Sequence, residues 1–307
     1  MKNLAELPKS EQLAFINSFD HVLSDLDGVM WLQYKPIPGA SECMNILKKN
    51  GKLIHFVSNN STNSIDVVKE KLNSCGFDAQ NGDIVTPIIA ILSHLKEIEF
   101  SKPLYVIASN SMKDLLRDEG LTVVEGPQVI EESIPSLLSQ VNDDGTIGAV
   151  LVEFDLNVNY IKLQKAVTYL RREDCLFITG GGDARIPFGL KNHLIGPHYY
   201  MKPLIDLSGR EPYQIAKPSL HYNDYIVKRY RISDPTRVLF IGDSITEDLN
   251  FATKCGYQKL LVLTGITNKD HLSNWDHPEE YKPQYYVENL NVLHEIVCNC
   301  TGVSNKK

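Results

Sequence analysis

The sequence predicts an α/β fold: a doubly wound, Rossmann-like parallel sheet with an inserted α/β block. Three observations carry this. Short apolar runs alternate with stretches of helical spacing from the N-terminus onward. Two of those runs end in acidic residues next to glycine, at Ser24-Asp25-Leu26-Asp27-Gly28 and at Gly242-Asp243. The rhythm is interrupted by a block with strands of its own and then resumes. At 307 residues the chain can hold two domains, or one large domain with an insertion, and its 43% hydrophobic content suffices for ordinary cores.

The first residues read as a short helix leading to a strand at His21 to Asp25. After a loop with Pro36, Pro38 and Gly39, Ala40 to Asn50 places Cys43, Met44, Ile46 and Leu47 on one helical face, with Gly51 as a stop. Leu53 to Val57 is a second strand, closed by the polar run Ser58-Asn59-Asn60-Ser61-Thr62. A helix follows from about Ser64 to Ser74. Ile84 to Pro87 is a short strand leading into a helix with proline in its first turn, which continues to about Leu95.

A second α/β rhythm begins at Leu104 to Ala108. It continues with a helix from Met112 to Glu119, a strand from Gly148 to Val152, a helix from Tyr160 to Arg171 and a strand from Cys175 to Thr179. This block looks like an insert with its own sheet, ending near Asp206. The core rhythm resumes with a helix at Ser219 to Tyr230 and strands at Arg237 to Ile241 and Lys259 to Leu263. The last ten residues, CNCTGVSNKK, offer little to bury and are expected to be loose.

A net charge of −7 and a pI near 5.7 argue against a general nucleic-acid binder, whose affinity rests on neutralising phosphates. Six scattered cysteines read as free thiols of a reducing compartment. The first residues lack the sustained apolar run of a secretory signal, and no later stretch reaches the length of a membrane span. A cytoplasmic protein is expected. Asn60-Ser61-Thr62 also fits a glycosylation acceptor, which that location leaves unused.

Asp25 and Asp27 would stand at the carboxyl end of a buried strand, where open α/β sheets bind ligands. One carboxylate could attack while the other handles a proton. Alone the pair is weak evidence, because Asp-Gly also marks turns. A second acidic cluster, Asp243 to Asp248, follows a strand as apolar as the first. Converging there, Asp25, Asp243 and the backbone carbonyl of Asp27 would hold Mg²⁺ through hard oxygen ligands, with phosphate oxygen and water completing the shell. Lys217, before Pro218, could hold a phosphate oxygen and offset the nucleophile's charge, with Ser58 and the amide of Asn59 as further donors.

Taken together, these four segments resemble the haloacid dehalogenase-like phosphatases, in particular the group with 4-nitrophenyl-, phosphoglycolate and pyridoxal phosphate phosphatases. The motifs are Asp25 to Val29 with Trp31 following, Ser58 to Thr62, Lys217-Pro218, and Gly242-Asp243 with Asp248. The resemblance spans nearly the whole chain. It implies a Mg²⁺-dependent phosphomonoesterase acting on a small phosphorylated metabolite. Asp25 would be the nucleophile that becomes an aspartyl-phosphate and Asp27 the acid and base. The ion would be held by Asp25, Asp27 and Asp243, with Asp248 supporting, and the phosphoryl group by Ser58, Asn59, Asn60 and Lys217. It also implies that the insert is an α/β cap, residues 101–206 between core segments 1–100 and 207–307, that excludes water and touches the leaving group, and a homodimer through that cap.

Two departures stand out. Gly180-Gly181-Gly182-Asp183 occupies the place of a Thr-Asn-x-Asp segment, keeping Asp183 as a cap contact, and Glu247 stands where many members have Thr. Two competing readings stay open: a phosphotransferase or phosphomutase using the same aspartyl-phosphate, and a catalytically weak phospho-ligand binder.

Overall fold

A computed structural model of the chain describes residues 1–33, 35–182, 184–188 and 192–303. It divides into two compact units: 1–58 with 65–85 and 217–307, and 59–64 with 86–216.

The first unit is built on a seven-stranded sheet. Its order is Lys2–Asn3, Tyr285–Val287, Gln258–Val262, Val238–Gly242, His21–Ser24, Leu53–Val57 and Ile84–Val85, every neighbour parallel. The strand Val238–Gly242 is buried throughout and His21–Ser24 nearly so, as expected when helices cover both faces of a parallel sheet. Chain order runs outward in one direction from His21–Ser24 and in the other from Val238–Gly242 to Tyr285–Val287, with the N-terminal Lys2–Asn3 added at that edge. The reversal falls between these two strands, which is where a doubly wound sheet opens a crevice at its carboxyl edge.

The helix Ala40–Lys49 buries Cys43, Met44, Ile46 and Leu47, the face its spacing defines. Against it packs Leu290–Thr301, with Leu290, Leu293, Ile296 and Val297 buried at helical intervals. This corrects the expectation of a loose C-terminus: Cys298 to Thr301 complete that helix, and Cys298 and Cys300 pack against the core. The short polar sequence conceals how far the preceding apolar face carries the helix. All six cysteines are free thiols.

The second unit has its own five-stranded parallel sheet, ordered Tyr213–Gln214, Leu176–Thr179, Ala149–Val152, Leu104–Ile107 and Val123–Val124. Its core joins Tyr105, Val150, Val152, Tyr169, Phe177 and Leu204. The expected cap boundaries, 101 and 206, fall inside this unit. The helix Pro87–Glu97 groups with it, and residue 206 lies within the helix His198–Ser208. Tyr200 is core: its hydroxyl donates to the Glu153 carbonyl at 2.7 Å. Tyr199 is exposed. Among the described residues, no helix is long and apolar enough to cross a membrane.

Candidate active site

At the sheet's reversal point the chain gathers acidic side chains from two strand ends. Ser24 pairs with Ile241, so Asp25 leaves the sheet beside Gly242, and its amide still donates to the Ile241 carbonyl at 2.9 Å. Carboxylate oxygens of Asp25, Asp243 and Asp248 lie within 4.8 Å of one another, all three residues buried. Lys217 reaches into this cluster, its Nζ donating to Asp25 Oδ1 at 2.6 Å and Asp248 Oδ1 at 2.7 Å. The other oxygen of Asp248 accepts the backbone amides of Asp243 and Ser244 at 3.0 and 3.1 Å. Asp248 thus braces both the lysine and the turn that carries Asp243.

The electrostatics follow from crowding. Burial, reinforced by the Asp248 and Asp243 charges, pushes the Asp25 carboxyl well above its usual range despite Lys217. Burial and the Asp248 charge push Asp243 up to about 7. For Lys217 burial opposes the charge, but the Asp248 and Asp25 carboxylates outweigh it and hold the ammonium well above its ordinary value. One ammonium therefore faces three buried carboxylates, an imbalance that a divalent cation would relieve.

The surroundings fit such an ion. The donors are hard oxygens, the kind Mg²⁺ takes. The cradle is made of glycine: a Cβ on Gly28, whose φ is +89°, would come within 2.5 Å of the Asp243 carboxylate, and one on Gly265 within 1.9 Å. Gly265 and its neighbours went unread in the sequence. They follow the strand Gln258–Val262, where Ile266 N–H donates to Asp243 Oδ2 at 2.6 Å and Thr264 Oγ1 donates to the Gly28 carbonyl at 2.5 Å. A Thr-Gly pair immediately after a strand neighbouring Val238–Gly242 was the available signal.

Asp27 stands apart from the side-chain cluster. It is exposed, and its Oδ1 accepts the Trp31 indole N–H at 2.8 Å. Ser58 ends the adjacent strand, its amide donating to the Val85 carbonyl at 3.0 Å. Tyr222, also missed in the sequence, braces that strand end by donating its hydroxyl to the Ser58 and Val85 carbonyls. Asn59 and Asn60 fall in the second unit, where Asn60 Oδ1 accepts the Thr62 amide and hydroxyl at 2.9 and 2.6 Å. Glu247 is half-buried and is not one of the three clustered carboxylates. Asp183 lies outside the described residues.

Similarity to known proteins extends over nearly the whole chain. A model of haloacid dehalogenase-like hydrolases matches residues 22–122, and a second, related model matches 214–293. The 4-nitrophenylphosphatase of Schizosaccharomyces pombe is 32% identical over 93% of this chain and 96% of its own. Phosphoglycolate phosphatase 2 of Arabidopsis thaliana is 30% identical over 95% and 97%. The structure of p-nitrophenyl phosphatase from Archaeoglobus fulgidus superposes with a TM-score of 0.77 at 25% identity, covering 91% of this chain and 99% of that one. The chain belongs to the haloacid dehalogenase-like hydrolases. Within them it is a phosphatase related to the 4-nitrophenyl, phosphoglycolate and glycerol-3-phosphate phosphatases.

Proposed function

We propose that this phosphatase hydrolyses small phosphate monoesters through an aspartyl-phosphate on Asp25, with Mg²⁺ held by Asp25, Asp243 and the backbone carbonyl of Asp27. The observation that carries this reading is the buried Asp25–Asp243–Asp248 cluster bridged by Lys217 at the sheet's reversal point. In the first step an Asp25 oxygen forms a bond to phosphorus while the ester P–O bond breaks. The departing oxygen takes a proton from the Asp27 carboxyl and leaves as an alcohol. In the second step water gives a proton to Asp27 and its oxygen to phosphorus, releasing inorganic phosphate and restoring the Asp25 carboxylate. Lys217 balances charge on the nucleophile and the transferring group, Asp248 holds Lys217 and the Asp243 turn, and Ser58, Asn59 and Asn60 supply donors to the phosphoryl oxygens. When bound, the cation neutralises phosphoryl charge and aligns it with the nucleophile.

By its place in the chain, between the second and third motifs, the second unit corresponds to the family's inserted cap. The names of the relatives favour small aryl and carboxyalkyl esters as substrates. The test is phosphate release from p-nitrophenyl phosphate, 2-phosphoglycolate, pyridoxal phosphate and glycerol 3-phosphate, with Mg²⁺ and with chelator, Asp25→Asn measured in parallel. Release is expected only with Mg²⁺ and only with Asp25 intact. Phosphate release that persists in Asp25→Asn would refute the nucleophile.

A further inference from the structure

The contact between Asp27 and Trp31 is built more firmly than packing alone requires. The sequence Asp27-Gly28-Val29-Met30-Trp31 folds back on itself: Gly28 N–H donates to the Trp31 carbonyl at 2.7 Å, and Met30 and Trp31 amides donate to Leu26 O at 2.8 and 3.3 Å. Trp31 then pairs with Pro36 in a short antiparallel ribbon. The indole is buried, 3% exposed, and one face is covered by Lys71, whose Nζ lies 3.8 Å from the ring centroid and donates to the Gln33 carbonyl at 2.7 Å. Backbone and ring are both clamped. The one polar atom of that ring, Nε1, is aimed at Asp27 Oδ1 at 2.8 Å.

An indole N–H only donates. Asp27 Oδ1 accepts it, so Oδ1 is engaged and Oδ2 is the oxygen the tether leaves for proton transfer. We propose that Trp31 is a positioning residue for the acid–base group: its N–H fixes the rotamer of an otherwise exposed carboxyl and reserves Oδ2 for proton transfer to the leaving oxygen. The inference rests on the phosphatase reading and on Asp27 as the acid. Lys71 completes the device by holding the indole plane through a cation–π contact. An exposed aspartate without such a tether would sample several rotamers, and general-acid catalysis requires the donor within hydrogen-bond reach of the departing oxygen.

The test separates positioning from structural support by the leaving group. The ratio kcat/KM reports steps only up to departure of the alcohol, so the common hydrolysis of the aspartyl-phosphate does not enter it. A p-nitrophenolate leaves without much help, whereas an alkoxide needs the proton. Wild type, Asp27→Asn, Trp31→Phe and Trp31→His are compared across p-nitrophenyl phosphate, phenyl phosphate, 2-phosphoglycolate and glycerol 3-phosphate with saturating Mg²⁺. Trp31→Phe keeps a ring under Lys71 and removes the N–H. It is expected to lose about ten-fold or more in kcat/KM on the alkyl esters and about two-fold or less on p-nitrophenyl phosphate. The dependence on leaving-group pKa steepens in the same sense as for Asp27→Asn. Trp31→His, which keeps a ring N–H, is expected to fall between.

The pattern across esters does not depend on how much of a variant is folded, so partial misfolding cannot mimic it. An equal loss on every ester, or no loss, in Trp31→Phe while Asp27→Asn shows the steepened pattern overturns the role of Trp31 alone. An Asp27→Asn variant without that pattern overturns the role together with the acid assignment. Absence of Mg²⁺-dependent release from any ester by the wild type overturns the phosphatase reading itself.

Discussion

The Lys217 ammonium and the Asp25 carboxylate, 192 residues apart in sequence, meet at 2.6 Å in the interior of the first unit. Lys217 shares its charge with Asp248, itself tied to the turn that carries Asp243. The geometry makes the site a single electrostatic unit short of positive charge, which bears on the metal and on the glycine cradle around it.

Adding Mg²⁺ to metal-free protein is expected to raise its melting temperature by several degrees. Binding to the folded state alone contributes about 2.7 kcal/mol at a hundred-fold excess over Kd. Asp243→Asn removes a central ligand of the buried trio and should abolish most of that rise. In metal-free protein, Asp25→Asn should melt no lower than wild type, because a neutral amide replaces a carboxyl whose charge is already disfavoured by burial and by Asp248 and Asp243. Differential scanning fluorimetry with and without Mg²⁺ checks all three. A metal response in Asp243→Asn equal to wild type would contradict the proposed ion site.

Gly265→Ala is expected to damage catalysis although residue 265 touches no substrate in the proposed mechanism. Its Cβ would lie 1.9 Å from Asp243 Oδ2 and 2.9 Å from Gly28 Cα, so the carboxylate or the loop must shift. Displacements of about an ångström near a reacting centre cost on the order of a hundred-fold. Turnover of p-nitrophenyl phosphate and its Mg²⁺ titration should both deteriorate. Gly145→Ala is the control, since a Cβ there meets nothing within 4 Å.

His55 makes stability depend on pH independently of the site. It is buried, stacked on Tyr230 at 3.6 Å between ring centroids, with Nε2 3.4 Å from His21 Nδ1 and Nδ1 without a hydrogen-bond partner. Burial first, then the neighbouring His21 and Arg229, bring its pKa down to about 3. The unfolded chain takes up a proton near pH 6.5 that the folded chain refuses. Stability from this group is therefore full above about pH 6.5 and falls as pH drops toward about 3, by about 1.4 kcal/mol per unit. His55→Phe keeps the stack and removes the titration. The stability difference between about pH 6.5 and 4.5, read from urea melts, should shrink by about 2–3 kcal/mol relative to wild type. An unchanged difference would show that His55 is protonated in the fold.

The sheet-forming runs and the acidic strand ends were legible because both depend on local pattern: apolar runs of strand length, and Asp with Gly just beyond them. Asp25, Asp243, Asp248 and Lys217 meet because their strands and loops converge on one edge, an outcome the doubly wound order dictates. What escaped the sequence depends on tertiary partners. Gly265 matters only because Asp243 fills the space its side chain would take, and Tyr222 only because its hydroxyl finds two carbonyls at a strand end. The C-terminal helix escaped because its buried face, Leu290 to Val297, ends just before the polar residues it carries into helix. Buried ions in the second unit were equally hidden, since periodicity assigns a lysine to a helix without saying what it meets.

Lys162 is the clearest of these. It lies in the helix Tyr160–Leu170, 1% exposed, and its Nζ donates to Asp155 Oδ2 at 2.8 Å while Asp155 Oδ1 accepts the Asn157 amide at 2.8 Å. The pair holds the loop after the strand Ala149–Val152 to the following helix. Removing one partner leaves the other charge buried and uncompensated, which costs about 3–5 kcal/mol, whereas neutralising both is far milder. Lys162→Met is thus expected to destabilise the protein by about that amount, and Asp155→Asn added to it should recover more than half, because the amide oxygen still accepts from Asn157. Urea unfolding followed by circular dichroism measures both variants. A single substitution costing less than about 1 kcal/mol, or a double variant weaker than the single, would show that Asp155 is not carried as a charge paired to Lys162.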